Sequence, residues 1–281
     1  MELLPVLQRI AANGIEMECA MAGPETGPKV LLIHGLGWDA TRLWSGTLSA
    51  FAAAGFRAVA PNLRGVGGTE ATEAPYSTGL YAQDLDALLD GLGIARCAVV
   101  GFSMGASVVA AMLAGPRADR IGPVVLACGG LPGSAEGAAA TEAMLARAQT
   151  LGPAAFAAEQ AAEVFRPAWA AAHPEAVTDF RRWRAAMDQN ALFRAFRSGY
   201  GVDLSRVVPA ADRPTLVIAA DEDAFCPLED MRRMAEAIPG ARFDVIEESG
   251  HMAPVEQPAA FEAALRQFLD AEWKAGQCPT A

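Results

Sequence analysis

Two hydrophobic rhythms alternate along this chain. Residues 29–33, 57–60, 97–100, 121–128, 215–219 and 241–246 form short apolar runs, of the kind that strands buried on both faces of a parallel sheet require. Between them, apolar residues recur at helical spacing. Tyr81, Leu85, Leu88, Leu89 and Leu92 make one amphipathic stripe, and Phe261, Leu265, Phe268 and Leu269 make another. Further helices are predicted over 43–54, from Val108 to Leu113, and over 228–238. Ahead of this series, residues 10–20 read as a hairpin, because Asn13-Gly14 is the strongest short signal for a two-residue turn. Strands alternating with helices define an α/β protein with a mostly parallel, doubly wound sheet. The alternation stops at Gly129. Residues 131–206 carry no strand signal, only Ala-rich helical stretches broken at Gly152-Pro153, Pro167 and Pro174. The expectation is a core domain built from 1–130 and 207–281, with 131–206 inserted as a helical cap.

The densest chemical signal lies where one apolar run stops. Cys97-Ala98-Val99-Val100 is followed by Gly101-Phe102-Ser103-Met104-Gly105 and then at once by a helical pattern. A strand that becomes a helix within so few residues needs a very tight turn, with its apex in a strained, positive-φ conformation. Glycines two residues either side allow the close backbone approach such a turn demands. The result is a G-x-S-x-G nucleophile elbow, which lifts the Ser103 hydroxyl clear beside a helix N-terminus.

A serine hydroxyl is a weak nucleophile without a base. The chain has three histidines: His34, His173 and His251. His251 follows the last strand, so the topology brings it to the carboxyl edge of the sheet with Ser103, the edge where open α/β sheets bind ligands. His173 reads as a surface residue of the cap. The base needs an orienting acid. Asp221, Glu222 and Asp223 follow the strand at 215–219 on the same edge, and chemistry alone does not choose among them. Oxyanion stabilisation needs two N–H donors. Met104, next to the serine, supplies one, and Leu36 in the glycine-rich His34-Gly35-Leu36-Gly37 loop supplies the other. That loop is no nucleotide cradle, since neither G-x-G-x-x-G nor G-K-[ST] occurs.

Composition narrows the function classes. The net charge of −11 argues against nucleic acid and anionic membrane surfaces as partners. Five cysteines (Cys19, Cys97, Cys128, Cys226, Cys278) are odd in number and form no C-x-x-C pair. Neither a disulfide framework nor a zinc site is expected. Residues 1–14 lack the basic and long apolar segments of a signal peptide, and no apolar run reaches about 18 residues, so a cytoplasmic, membrane-free protein is expected.

Together, His34-Gly35, Asn62-Leu63-Arg64-Gly65-Val66-Gly67-Gly68-Thr69, the Gly101–Gly105 pentapeptide, Asp223 with Pro227, and Gly250-His251 make the chain resemble the α/β-hydrolases over nearly its whole length. The order Ser…Asp…His is that family's. Ala220 and Pro227 frame the acid as the family frames it, so the resemblance selects Asp223. Two departures stand out: Ala106 where a further glycine is frequent, and Val66 where a histidine is frequent. The compact cap and the Gly250-His251…Pro254-Val255-Glu256 phrase are most similar to bacterial esterases and 3-oxoadipate enol-lactonases. The resemblance implies a serine hydrolase acting on a small carboxylic ester or lactone, without metal or organic cofactor. C–C bond hydrolases, cofactor-free perhydrolases or haloperoxidases, and non-catalytic receptors of the same fold are the alternatives. A serine at position 103 disfavours haloalkane dehalogenase and epoxide hydrolase chemistry. Trp38, Phe102, Phe225 and Met252 flank the site in sequence and are the expected apolar substrate pocket. The cap aromatics (Phe156, Phe165, Trp169, Phe180, Trp183, Phe193, Phe196, Tyr200) read mainly as the cap's own core. Arg181, Arg182 and Arg184 read either as a solvated helix face or as ligands for a substrate carboxylate. Whether the chain acts as a monomer or a homo-oligomer is not written in the sequence.

Overall fold

A computed structural model describes residues 5–130, 135–199 and 213–274. Among these residues a single sheet joins β1 (Val6–Ala12), β2 (Ile15–Ala22), β3 (Lys29–Ile33), β4 (Arg57–Pro61), β5 (Cys97–Phe102), β6 (Ile121–Ala127), β7 (Thr215–Ala220) and β8 (Arg242–Ile246). Their spatial order is β1-β2-β4-β3-β5-β6-β7-β8. β1 and β2 pair antiparallel, as do β2 and β4, and all other pairings are parallel. The β1–β2 turn is the Asn13-Gly14 pair, with φ of 48° and 77°. The chain leaves β3 toward β4 on one side and returns to β5 on the other. The loops after β3 and β5 therefore meet at the point where winding reverses, which opens a crevice for ligand.

The helices in chain order are α1 (Ala40–Ala53), α2 (Thr78–Gly91), α3 (Met104–Leu113), α4 (Ala135–Leu151), α5 (Pro153–Val164), α6 (Pro167–Ala172), α7 (Pro174–Ala186), α8 (Gln189–Ser198), α9 (Leu228–Ala237), α10 (Ala253–Glu256) and α11 (Pro258–Leu269). Strand residues alternate between two cores. Leu31 and Ile33 join Leu85 and Leu89 of α2 and Val108 and Met112 of α3 on one face. Val30 and Leu32 join Trp44 and Phe51 of α1 and Phe261 and Leu265 of α11 on the other. Burial on both faces is why these strands read as unbroken apolar runs. None of the helices among the described residues is long and apolar enough to cross a membrane.

Two expected boundaries shift. The helix expected from residue 43 begins at Ala40, because Asp39 caps it and accepts the Arg42 N–H at 2.6 Å. Pro61 lies within β4, which runs one residue past the predicted 57–60. It sits beyond the last residue paired with β3, so its missing N–H breaks no bond on that side. Asp270–Lys274 form a π-helical turn, and Trp273 Nε1 donates to the Lys29 carbonyl at 3.1 Å. The 62–69 loop is a lock between elements. Thr69 Oγ1 donates to Asn62 O at 2.8 Å and accepts the Glu18 N–H at 2.9 Å. Arg64 is buried against Asp84 at 2.5 and 2.9 Å.

Helices α4 to α8 lie between β6 and β7 in sequence, with Pro153, Pro167 and Pro174 each in a first turn, where proline fits. The expected cap limits at 131 and 206 fall outside the described residues, as do Tyr200 and Cys278. Aromatic packing ties this run to the sheet: Trp38 meets Phe180 at 5.2 Å and Phe165 at 6.3 Å between ring centroids.

Candidate active site

β5 ends at Phe102 and α3 begins at Met104, so Ser103 alone reverses the chain. Its φ of 54° and ψ of −120° are strained for a residue with a side chain. The turn closes tightly enough that a Cβ on Gly101 would come within 2.5 Å of the Gly105 carbonyl oxygen. The strain lifts Ser103 Oγ to 2.9 Å from His251 Nε2, across 148 residues of sequence. His251 Nδ1 in turn lies 2.9 and 3.1 Å from the two Asp223 carboxylate oxygens. Both His251 and Asp223 are buried.

The three acids that chemistry alone left open make different contacts. Asp223 Oδ1 also accepts the N–H groups of Phe225 and Cys226, at 2.8 and 3.0 Å, which aims its carboxylate at the imidazole. Asp221 accepts the N–H groups of Glu248 and Ser249, both at 3.0 Å, and so holds the loop leading to His251. Glu222 is exposed and pairs with Arg166 Nε at 2.6 Å. Glu256 received no role from sequence. Its buried carboxylate takes the N–H groups of Gly250 at 3.0 Å and Met252 at 3.3 Å, the two neighbours of His251. Burial pushes this carboxyl above the usual range, against the pull of those hydrogen bonds.

The β3–α1 loop lies against the serine. A Cβ on Gly35 would come within 2.9 Å of Ser103 Cβ. Neither the Leu36 N–H nor the Met104 N–H has an acceptor among the described residues, which leaves two donors for an incoming oxygen. Beside them lies a cavity of about 180 Å³ bordered by Ser103 and His251. Trp38, Phe102, Phe225 and Met252 all border it, so each predicted pocket residue reaches the site. Phe102 and Phe225 flank the imidazole at 5.4 and 5.0 Å between ring centroids. Gln160 and Val164 of α5, Arg184 of α7 and Phe196 of α8 complete the lining with Leu36 and Cys226.

Arg184 separates itself from its neighbours in the arginine run. Arg181 and Arg182 are exposed, and Arg182 pairs with Asp179. Arg184 is buried on the inward face of α7 with Phe180 and the half-buried Val177, a spacing of three and four residues that the sequence already carried. Desolvation, with no carboxylate to offset it, brings its guanidinium down to about 9, so it stays charged at neutral pH.

The other histidines have structural partners. His34 is fully buried; its Nε2 accepts the Leu63 N–H at 2.9 Å and its Nδ1 lies 2.7 Å from the Gly35 carbonyl. Burial lowers its pKa to about 4. His173 is exposed and stacks on Trp169 at 4.3 Å. Asp223, Cys226 and His251 bring potential metal-ligand atoms within 4.8 Å of one another. The Asp223 carboxylate and both His251 nitrogens are engaged in the chain of contacts to Ser103, and burial pushes the Cys226 thiol up. Those donors suit proton transfer to and from Ser103 better than they suit a cation.

Residues 30–264 match the model of the alpha/beta hydrolase family, and the chain belongs to that family. Among curated sequences it is similar to the protein of Variovorax paradoxus named "Putative carbamate hydrolase RutD", at 31% identity over 88% of this chain and 93% of the relative. Among solved structures it resembles a thermophilic esterase from Thermogutta terrifontis with malate bound (TM-score 0.86, 28% identity, 95% of this chain and 98% of that one). It is similarly close to the enol-lactonase of Burkholderia xenovorans LB400 (TM-score 0.86, 27% identity, 94% of this chain and 100% of that one).

Proposed function

We propose that this chain is a serine hydrolase that cleaves a small carboxylic ester or lactone through an acyl-enzyme. The observation that carries the reading is the unbroken line Asp223–His251–Ser103, with no contact longer than 3.1 Å. In the first step Ser103 Oγ attacks the carbonyl carbon while its proton passes to His251 Nε2. Asp223 holds Nδ1–H, which fixes the tautomer and stabilises the imidazolium that forms. The Leu36 and Met104 N–H groups donate to the developing oxyanion. The intermediate collapses when the C–O bond breaks and His251 returns the proton to the leaving alkoxide. Water, deprotonated by the same imidazole, then releases the acid and restores Ser103.

A second reading rests on the relative named as a carbamate hydrolase. A carbamate presents the same acyl carbon with a nitrogen beside it, and the same residues would cleave it. A panel of p-nitrophenyl esters, lactones and carbamates tests the two together. The proposal expects an initial burst of one product equivalent per chain on the esters, followed by slower turnover. Turnover confined to carbamates supports the second reading, and binding without turnover of any class contradicts both.

A further inference from the structure

α7 turns two arginines to solvent and one inward. The inward one, Arg184, retains only 4% of its surface exposure and borders the same cavity as Ser103. Its Nε donates to Gln160 Oε1 at 2.6 Å, its Nη1 lies 4.0 Å from the Met187 sulfur, and its Cζ sits 5.3 Å from the centre of the Phe196 ring. Among the described residues no carboxylate pairs with it and none borders the cavity. Gly37 carries no side chain where this guanidinium lies, since a Cβ there would overlap Nη1. The chain thus keeps a cation against Gly37 of the β3–α1 loop, in the cavity that Leu36 also borders.

A buried cation without a counter-ion is costly, and the cost persists only if something offsets it. Gln160 supplies one neutral acceptor, which leaves most of the five-donor fork unused. The remaining cavity wall is almost entirely apolar or aromatic. A planar guanidinium in such a setting matches a carboxylate in a two-pronged geometry. We propose that Arg184, braced by Gln160, receives a carboxylate group of the substrate, so that the preferred esters or lactones of this hydrolase carry a negative charge. The cavity, about 180 Å³, lies below the roughly 300–1,000 Å³ common for larger ligands. The carboxylate and the scissile carbonyl therefore belong to one short molecule, such as the half-ester of a small dicarboxylic acid. This inference rests on the ester or lactone reading of the same site.

The test pairs charged and neutral substrates of equal length. One pair, 4-nitrophenyl hydrogen glutarate against 4-nitrophenyl hexanoate, places the charge on the acyl side. A second, carboxymethyl butyrate against propyl butyrate, places it on the alcohol side. The charged member of at least one pair should show about 10-fold or greater higher kcat/KM, and Arg184→Met should bring that ratio down to about one, as expected when the only cation facing the carboxylate is removed. Arg184→Lys should restore part of it. Equal kcat/KM within both pairs in the unaltered protein overturns the proposal, even if Arg184→Met does not fold. Calorimetry on Ser103→Ala gives a readout free of turnover: glutarate should bind and neutral glutaramide should not. Ester turnover without glutarate binding or charge preference sinks the anion site and leaves the hydrolase reading standing. Selective glutarate binding with no turnover of any ester does the reverse.

Discussion

Glu256 Oε2 accepts the N–H of Gly250, the residue before His251, at 3.0 Å. The same carboxylate takes the N–H of Met252 on the other side at 3.3 Å and that of Arg166, at the start of α6, at 3.2 Å. One buried side chain thus clamps both shoulders of the imidazole and ties them to the helices over the site. Glu256→Ala should lower kcat by about 10-fold with little change in KM, since three N–H groups lose their acceptor and each costs about 1–3 kcal/mol when left buried. The melting temperature should fall as well. An unchanged kcat in a folded Glu256→Ala variant would contradict this positioning role.

The three adjacent acids should separate cleanly in kinetics. Asp223→Asn keeps the shape but presents the wrong hydrogen-bonding partner to Nδ1, and kcat should drop by about 10³–10⁴. Glu222→Gln removes an exposed ion pair with Arg166, so stability should move by less than about 1 kcal/mol and kcat by less than about threefold. Asp221→Ala should fall between them. If Glu222→Gln cost more kcat than Asp223→Asn, the acid would be misassigned.

His34 gives the fold a pH dependence of known sign. Burial lowers its pKa to about 4, against 6.5 for an exposed histidine. Between those values the unfolded chain binds a proton that the folded chain does not, so stability is lost as pH falls from 6.5 toward 4. The contribution is at most about 1.4 kcal/mol per pH unit, or about 3 kcal/mol over the window. Urea unfolding of the unaltered protein and of His34→Asn between pH 5 and 7 checks it. The slope should be smaller in the variant, and identical slopes would exclude His34 as the source.

Trp38 joins the sheet to the helices that cover it. Trp38→Ala leaves a void between Phe165 and Phe180 and should cost about 3–5 kcal/mol. It should also raise KM, because Trp38 borders the cavity. Denaturant unfolding together with steady-state kinetics would detect both effects. A variant with native stability would show that this contact does not dock the helices.

Most of the architecture could be read from the sequence because both faces of the central strands are apolar. β3 and β5 announce themselves as unbroken runs for that reason, and the Ser103 elbow stands out because it interrupts one. Capping chemistry was less visible: Asp39 starts α1 three residues before the apolar stripe does. Residue chemistry left the acid next to His251 open because three carboxylates follow one another; the family resemblance picked Asp223, and in the fold the backbone N–H groups of Phe225 and Cys226 aim it inward. Arg184 was legible in principle, since Val177, Phe180 and Arg184 share a helical face. The neighbouring Arg181 and Arg182 disguised it as part of a solvated run. Glu256 left no signal of its own, because its partners are backbone groups that only the folded loop brings together.

The measurement that bears most directly on the account is the intact mass of the protein after treatment with a fluorophosphonate. The 2.9 Å contact between His251 Nε2 and Ser103 Oγ predicts one covalent adduct per chain, located on Ser103 by peptide mapping and absent from Ser103→Ala. No adduct on folded protein, or an adduct that persists in Ser103→Ala, would contradict it.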